Sequence, residues 1–203
     1  MANPVIESGE SLEMATDTLL QLHPHFDVEL VVTFFGSALL WLLLFFVSRI
    51  VCGKLFVSYR SLSSGEKVEW DSRVVSNVHA IEGLVAGIYI IRQNSLWDKA
   101  LIAGSTPLTS MLLCISLGYF LYDFVLCCCF KSIRSKSTLA HHGLGLVCFG
   151  VAAFCDVCQF MVSMFLLTEA TTPFVNQRFF FDKSGMKNSV WNVVNGLGMW
   201  VGF

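Results

Sequence analysis

Charge is what this sequence has least of. Only 14% of its 203 residues are Asp, Glu, Lys or Arg, whereas 55% are hydrophobic. A soluble domain of this size carries about a quarter charged residues. With a mean hydropathy of +0.66, the chain reads as a membrane protein. It lacks any basic, aromatic-interleaved patch, which argues against nucleic acid as a partner. Residues 1–27 contain no Lys or Arg, so the basic n-region of a cleaved secretory signal is missing. The first apolar span is then expected to act as the insertion signal. Cysteines in polar loops are also scarce. The eight thiols at Cys52, Cys114, Cys127, Cys128, Cys129, Cys148, Cys155 and Cys158 sit in or beside apolar runs, unlike a secreted disulfide framework. At His141-His142 no HxxxH or HxxE spacing supports a closed zinc site, and no metal is expected.

What the chain does have is a series of apolar runs long enough to span hydrocarbon. They predict an all-α polytopic transmembrane bundle with spans near 28–52, 74–91, 108–130, 143–155, 157–170 and 190–203. Residues 1–27, with Glu7, Glu10, Glu13, Asp17 and Asp27, read as an acidic lead on the lumenal side. The segment 53–73, with Lys54, Arg60, Lys67 and Arg73, reads as a cytoplasmic loop by the positive-inside rule. The loop near 92–107 is poor in basic residues and holds Trp97 as an interfacial anchor. Residues 143–167 fit either one span or two short helices meeting near Asp156. Basic residues on both sides, at 131–136 and at 178–187, favour the pair, because an even number of crossings keeps both groups cytoplasmic. The last apolar run stops short of a full span, so the chain reads as truncated inside it.

Polar side chains at membrane depth are costly and default to functional candidates. His79 and Glu82, three residues apart, share a helical face; they read as a satisfied polar pair or as part of a cavity. Asp123 reads as cavity-facing, or as an interfacial or capping group. Cys127, Cys128 and Cys129 lie beside basic residues, where S-palmitoylation and plain packing are both open. The CxxC spacing at 155–158 lacks a redox-fold context.

The stretch from His141 to Arg178 carries the sharpest constellation. His141 and His142 sit near a predicted helix start, where the helix dipole favours neutral imidazole, a base or nucleophile. One of the two faces a substrate while the other orients or packs. Glu169, a helical hairpin later, is positioned to hold a histidine by a hydrogen bond. Thr172-Pro173 breaks or restarts the helix. Beyond it, Asn176 and Arg178 offer an amide and a guanidinium to a phosphate or carboxylate head group. A purely packed polar layer is the alternative.

The residues Glu69-Trp70-Asp71-Ser72-Arg73-Val74-Val75-Ser76 with His79, Gly118-Tyr119 with Asp123, His141-His142, and LTEATTPFVNQRFFF at 167–181 together resemble the TLC-domain family of TRAM, Lag and CLN-type membrane proteins. The resemblance implies a multi-pass protein of the endoplasmic reticulum with a TLC domain over 66–203, whose helices surround a lipid-accessible cavity. In the ceramide-synthase branch, a histidine pair and downstream acids support acyl transfer from acyl-CoA to a sphingoid base. Carried over, His141 and His142 match the pair and Glu169 the first downstream Asp. Thr172 stands in place of the second Asp, and Asn176 in place of a downstream Glu, so two acidic positions are neutral. Two readings follow, both with membrane lipids as partners and no cofactor. One is a lipid sensor or regulator of lipid composition whose cavity includes His79, Thr172, Asn176 and Arg178. The other is an acyltransferase-like enzyme using His141 or His142 with Glu169 and Asp123, with acyl-CoA as substrate.

Overall fold

A computed structural model describes residues 24–92 and 105–201. Among them the fold is all-α, without strands. The elements are α1 Val28–Leu55, α2 Val57–Arg60, α3 Ser64–Arg92, α4 Pro107–Cys129, α5 Lys136–Phe154 and α6 Gln159–Thr168. A 3-10 turn at Glu169–Thr171 then leads into α7 Thr172–Lys183 and α8 Val190–Val201. Four helices, α1, α3, α4 and α5, are long and apolar enough to cross a membrane. Most of the acidic lead and the segment containing Trp97 lie outside the described residues.

The helix starts follow from local chemistry. At α3, Ser63 and Glu66 form a reciprocal capping box: the Ser63 amide donates to Glu66 Oε2 (2.9 Å) and the Glu66 amide to Ser63 Oγ (3.4 Å). The Ser-rich stretch expected to be part of a cytoplasmic loop therefore starts a helix ten residues before the expected span at 74–91. At α4 the Thr106 hydroxyl accepts from the Thr109 amide (3.1 Å) and Pro107 takes the first helical position, where its missing N–H costs nothing. At α5, Ser135 accepts from the Thr138 amide (2.9 Å).

The interval 143–170 is divided rather than continuous. Helix α5 ends at Phe154, and the chain turns through Asp156 and Cys158, both left-handed at φ 53° and 54°. The fully buried Gln159 holds this corner, its Nε2 donating to Ser110 Oγ (2.7 Å) and to the Ala152 carbonyl (3.1 Å). From there α6, the 3-10 turn and α7 run back along α3.

Side-chain contacts give the relative directions. Ser37 Oγ donates to the Cys114 carbonyl (3.3 Å), Trp41 Nε1 to the Ile115 carbonyl (3.3 Å), and Phe45 meets Tyr122 (ring centroids 6.4 Å). The numbers rise together, so α1 and α4 run parallel, with α3 antiparallel to both. This arrangement brings Lys54, Arg60, Lys67, Lys131, Arg134, Lys136 and Lys183 to one end of the bundle. Helix α4 is its centre, burying Leu113, Cys114, Leu117, Tyr119, Phe120 and Tyr122. Helix α1 turns Leu39, Leu43 and Ile50 outward, as a lipid-facing helix does.

The parallel contact depends on Gly118. A Cβ there would lie 1.8 Å from Ser37 Oγ and 2.8 Å from the Phe34 carbonyl oxygen on α1. Gly118→Ala is expected to destabilise the bundle by ~1–3 kcal/mol, the usual cost of overpacking. Gly36→Ala, with nothing within 4 Å, should be neutral or stabilising by up to ~1 kcal/mol. Thermal unfolding in mild detergent measures both, and a Gly118→Ala protein melting with the wild type would show that the helices do not meet at this point.

Candidate functional site

At the basic end of the bundle lies a polar cavity of about 380 Å³ whose walls come from α3, α4, α5, the 3-10 turn and α7. Its deepest feature is a carboxylate–imidazole contact: His142 Nε2 lies 2.9 Å from Asp123 Oδ2, and both side chains are about nine-tenths buried. Asp123 is further held by Ser72 Oγ, which donates to Oδ1 (3.2 Å), and by the Cys127 thiol (3.7 Å). One carboxylate on α4 thus accepts from α5, α3 and its own helix. Leaving such a carboxylate unpaired would carry a penalty of several kcal/mol.

The two histidines differ as two adjacent helical positions must. His142 is buried, its Nε2 engaged by Asp123 and its Nδ1 enclosed without a hydrogen-bond partner. His141 is exposed and lines the cavity. Helix α5 begins five residues before His141, so the pair occupies the second turn. The dipole effect expected for a helix start fades within the first turn and contributes little here.

Glu169 also lines the cavity but does not hold a histidine. Its Oε2 accepts from the Thr172 hydroxyl (2.7 Å), because the 3-10 turn brings residue i+3 directly over it. The carboxylate that meets a histidine is Asp123. Thr172 and Asn176, four apart on α7, share the cavity-facing side. Asn176 is buried and acts as a connector: its Oδ1 accepts from Arg73 Nη1 (3.0 Å), and its Nδ2 donates to Asn77 Oδ1 (2.7 Å). Arg178, two residues further on, points to the opposite side and is exposed. It is absent from the cavity lining.

His79 lies outside the lining as well. It is fully buried behind Tyr119, stacked on that ring at 3.8 Å and 18°, with Nδ1 3.2 Å from Glu82 Oε2. Tyr119 separates it from the cavity. The outer rim is charged and already paired. Arg73 reaches Glu69 through Nε (3.2 Å) and Nη2 (2.7 Å), and Arg134 caps the end of α4 by donating to the Cys127 and Cys128 carbonyls. Nearby, Lys183 meets Glu66 at 2.8 Å, and that hydrogen bond holds its ammonium above the usual lysine range.

Glu69, Ser72, Arg73 and Ser76 form one whole wall, yet none was a candidate from sequence. Their spacing, i, i+3, i+4 and i+7, marks a single helical face. The signal is readable once 64–73 is helix rather than loop. Among the described residues no group of three or more His, Cys, Asp or Glu side chains is arranged to hold a metal ion.

The Asp123 and His142 pair predicts a non-additive cycle. Asp123→Ala and His142→Ala should each cost about 3 kcal/mol or more by leaving the other partner buried alone. The double variant should cost clearly less than the sum. Unfolding of the four proteins in detergent tests this, and strict additivity would mean that the pair is not formed.

A TLC domain model matches residues 69–203. The chain is 35% identical over 167 residues to TLC domain-containing protein 4 of Xenopus tropicalis, covering 81% of this chain and 64% of that protein. It is 34% identical over 168 residues to the Homo sapiens protein of that name, covering 80% and 62%. Against TLC domain-containing protein 4-B of Danio rerio it is 29% identical over 159 residues, covering 77% and 60%. The chain thus spans somewhat under two thirds of the length of these relatives. No solved structure matches it significantly. With its apolar spans, its polar cavity and a domain match over most of its length, the chain is an integral membrane protein that belongs to the TLC-domain family.

Proposed function

We propose that the protein acts in membrane lipid homeostasis, at the endoplasmic reticulum, by taking the polar part of a lipid into the cavity between α3, α4, α5 and α7, as a sensor or regulator of lipid composition. The observation that carries this reading is the state of the cavity's hydrogen-bonding groups. A polar space among membrane helices needs an occupant that is itself polar, and the membrane supplies head groups. His141 is the imidazole presented to such an occupant. Asp123, His142, Glu169 and Asn176 are already engaged with one another or with neighbouring side chains, which suits a preorganised binding wall.

A second reading, acyl transfer from acyl-CoA, draws support from the carboxylate and imidazole pair itself. In this form Asp123 orients His142. That imidazole, however, has one nitrogen occupied and the other enclosed, so the pair must open before His142 can take a proton. Glu169, the expected orienting acid, is turned to Thr172. These features favour binding over catalysis.

The test is lipid analysis of cells making the protein, its His141→Ala, His142→Ala double variant, and a Thr138→Trp variant that fills the cavity Thr138 lines, at matched levels. Binding predicts that a lipid class co-purifies with the wild type and is depleted several-fold by Thr138→Trp. The reading fails if the co-purifying lipids are the same in both. A cellular lipid class altered by the wild type and unaltered by the double-histidine variant would favour the enzyme.

A further inference from the structure

A second groove lies on the outer face of the bundle, between α1 and α4, and shares no residue with the polar cavity. It encloses about 440 Å³ and is walled almost wholly by hydrocarbon, including Phe35, Leu39, Leu42, Phe46 and Val125. These side chains are 38–67% exposed among the described residues, as befits a surface facing acyl chains. At one end the groove meets a charge: Arg49 lines it with its side chain 41% exposed. The Arg49 Nε faces buried Asp71 at 3.9 Å, a long contact compared with the short hydrogen bonds Asp71 takes from Tyr59 (2.8 Å) and Ser48 (3.2 Å).

The position of Arg49 along the groove is informative. It sits at the basic end of the bundle, beside Cys129 and Phe130 at the end of α4. Along α1, the rise from Phe35 to Arg49 is ~21 Å, which suits one acyl chain extended from an interfacial head group into the hydrocarbon. One turn deeper than Arg49, level with Phe45, Tyr122 forms part of the wall. It is 5% exposed and its hydroxyl is buried without a hydrogen-bond partner. A guanidinium at the mouth and a hydrocarbon trough beneath it follow the order of phosphate and acyl chain.

We propose that this groove is a binding site for an anionic glycerophospholipid. Arg49 takes the phosphate, and one acyl chain lies along Leu42, Leu39 and Phe35. The site is independent of the lipid reading of the polar cavity, since it lies on another face and uses other residues. An anionic head group is favoured over a zwitterionic one because a basic side chain near the membrane surface gains from net negative charge. An arginine suits it better than a lysine because its planar fork donates twice to one phosphate.

Native mass spectrometry of the protein in mild detergent, equilibrated with an equimolar mixture of phosphatidylserine and phosphatidylcholine, tests the assignment. One retained phosphatidylserine is expected, with a preference of roughly fivefold, the factor that one basic side chain contributes. Arg49→Gln should abolish the preference, Arg49→Lys should keep part of it, and Leu42→Trp should expel the lipid by filling the trough. A Thr138→Trp variant in the other cavity should leave the phosphatidylserine in place. Equal retention of the two lipids, or a preference that survives both Arg49→Gln and Leu42→Trp, would overturn the proposal. So would a hydroxylamine-labile mass on Cys129, since the trough would then hold an acyl chain attached to the protein itself.

Discussion

A carboxylate at membrane depth must find its donors within the protein, and Asp123 finds three: an imidazole from α5, a hydroxyl from α3 and a thiol one turn along its own helix. The first two contacts each fix the rotation of a helix, since a helix turned by one residue would carry its donor about 100° away. The apolar surfaces of these helices are interchangeable by comparison, because hydrocarbon gains little by touching protein rather than lipid. Register in this bundle is therefore set by its few polar side chains. The cavity is the space left where those side chains cannot also close-pack.

Small residues do the complementary work. Gly118 lets α1 approach α4, and Gly87, whose added Cβ would stand 3.0 Å from Leu167 and 3.2 Å from the Ser163 carbonyl, lets α6 approach α3. The bundle is tight where it is apolar and open where it is charged, as expected when packing and polar satisfaction each claim a different part of the same helices.

The sequence conveyed the apolar helices and the resemblance to the TLC family well, because long hydrophobic runs and the LTEATTPFVNQRFFF stretch are strong signals. The histidine pair and Asp123 stood out because ionisable groups are rare in such runs. The choice of partner was not readable in the same way. Glu169 was the obvious acid for a histidine from its place in the motif, but a 3-10 turn gives it to Thr172, and no periodicity announces a turn of that kind. The wall from Glu69 to Ser76 was missed because its charges resemble a cytoplasmic loop, although Ser63 and Glu66 spell a capping box. Arg178 was grouped with Asn176 by proximity in the chain. In a helix, two residues apart means opposite sides.

The order in which the pieces of the site are made also matters. Asp123 reaches the membrane on α4 before His142 has been synthesised, since chains emerge from the N-terminus onward. At that moment its acceptor oxygens have only donors already present. Ser72, fifty-one residues earlier on α3, is among them, and so is the thiol of Cys127 next to be made. The serine contact, minor in the finished protein beside the imidazole, is then one of those that join α3 to α4 without α5, together with His79 stacked on Tyr119 and Ser116 donating to Glu82. A side chain that looks auxiliary in the mature cavity is the one donor to Asp123 that precedes it in the chain.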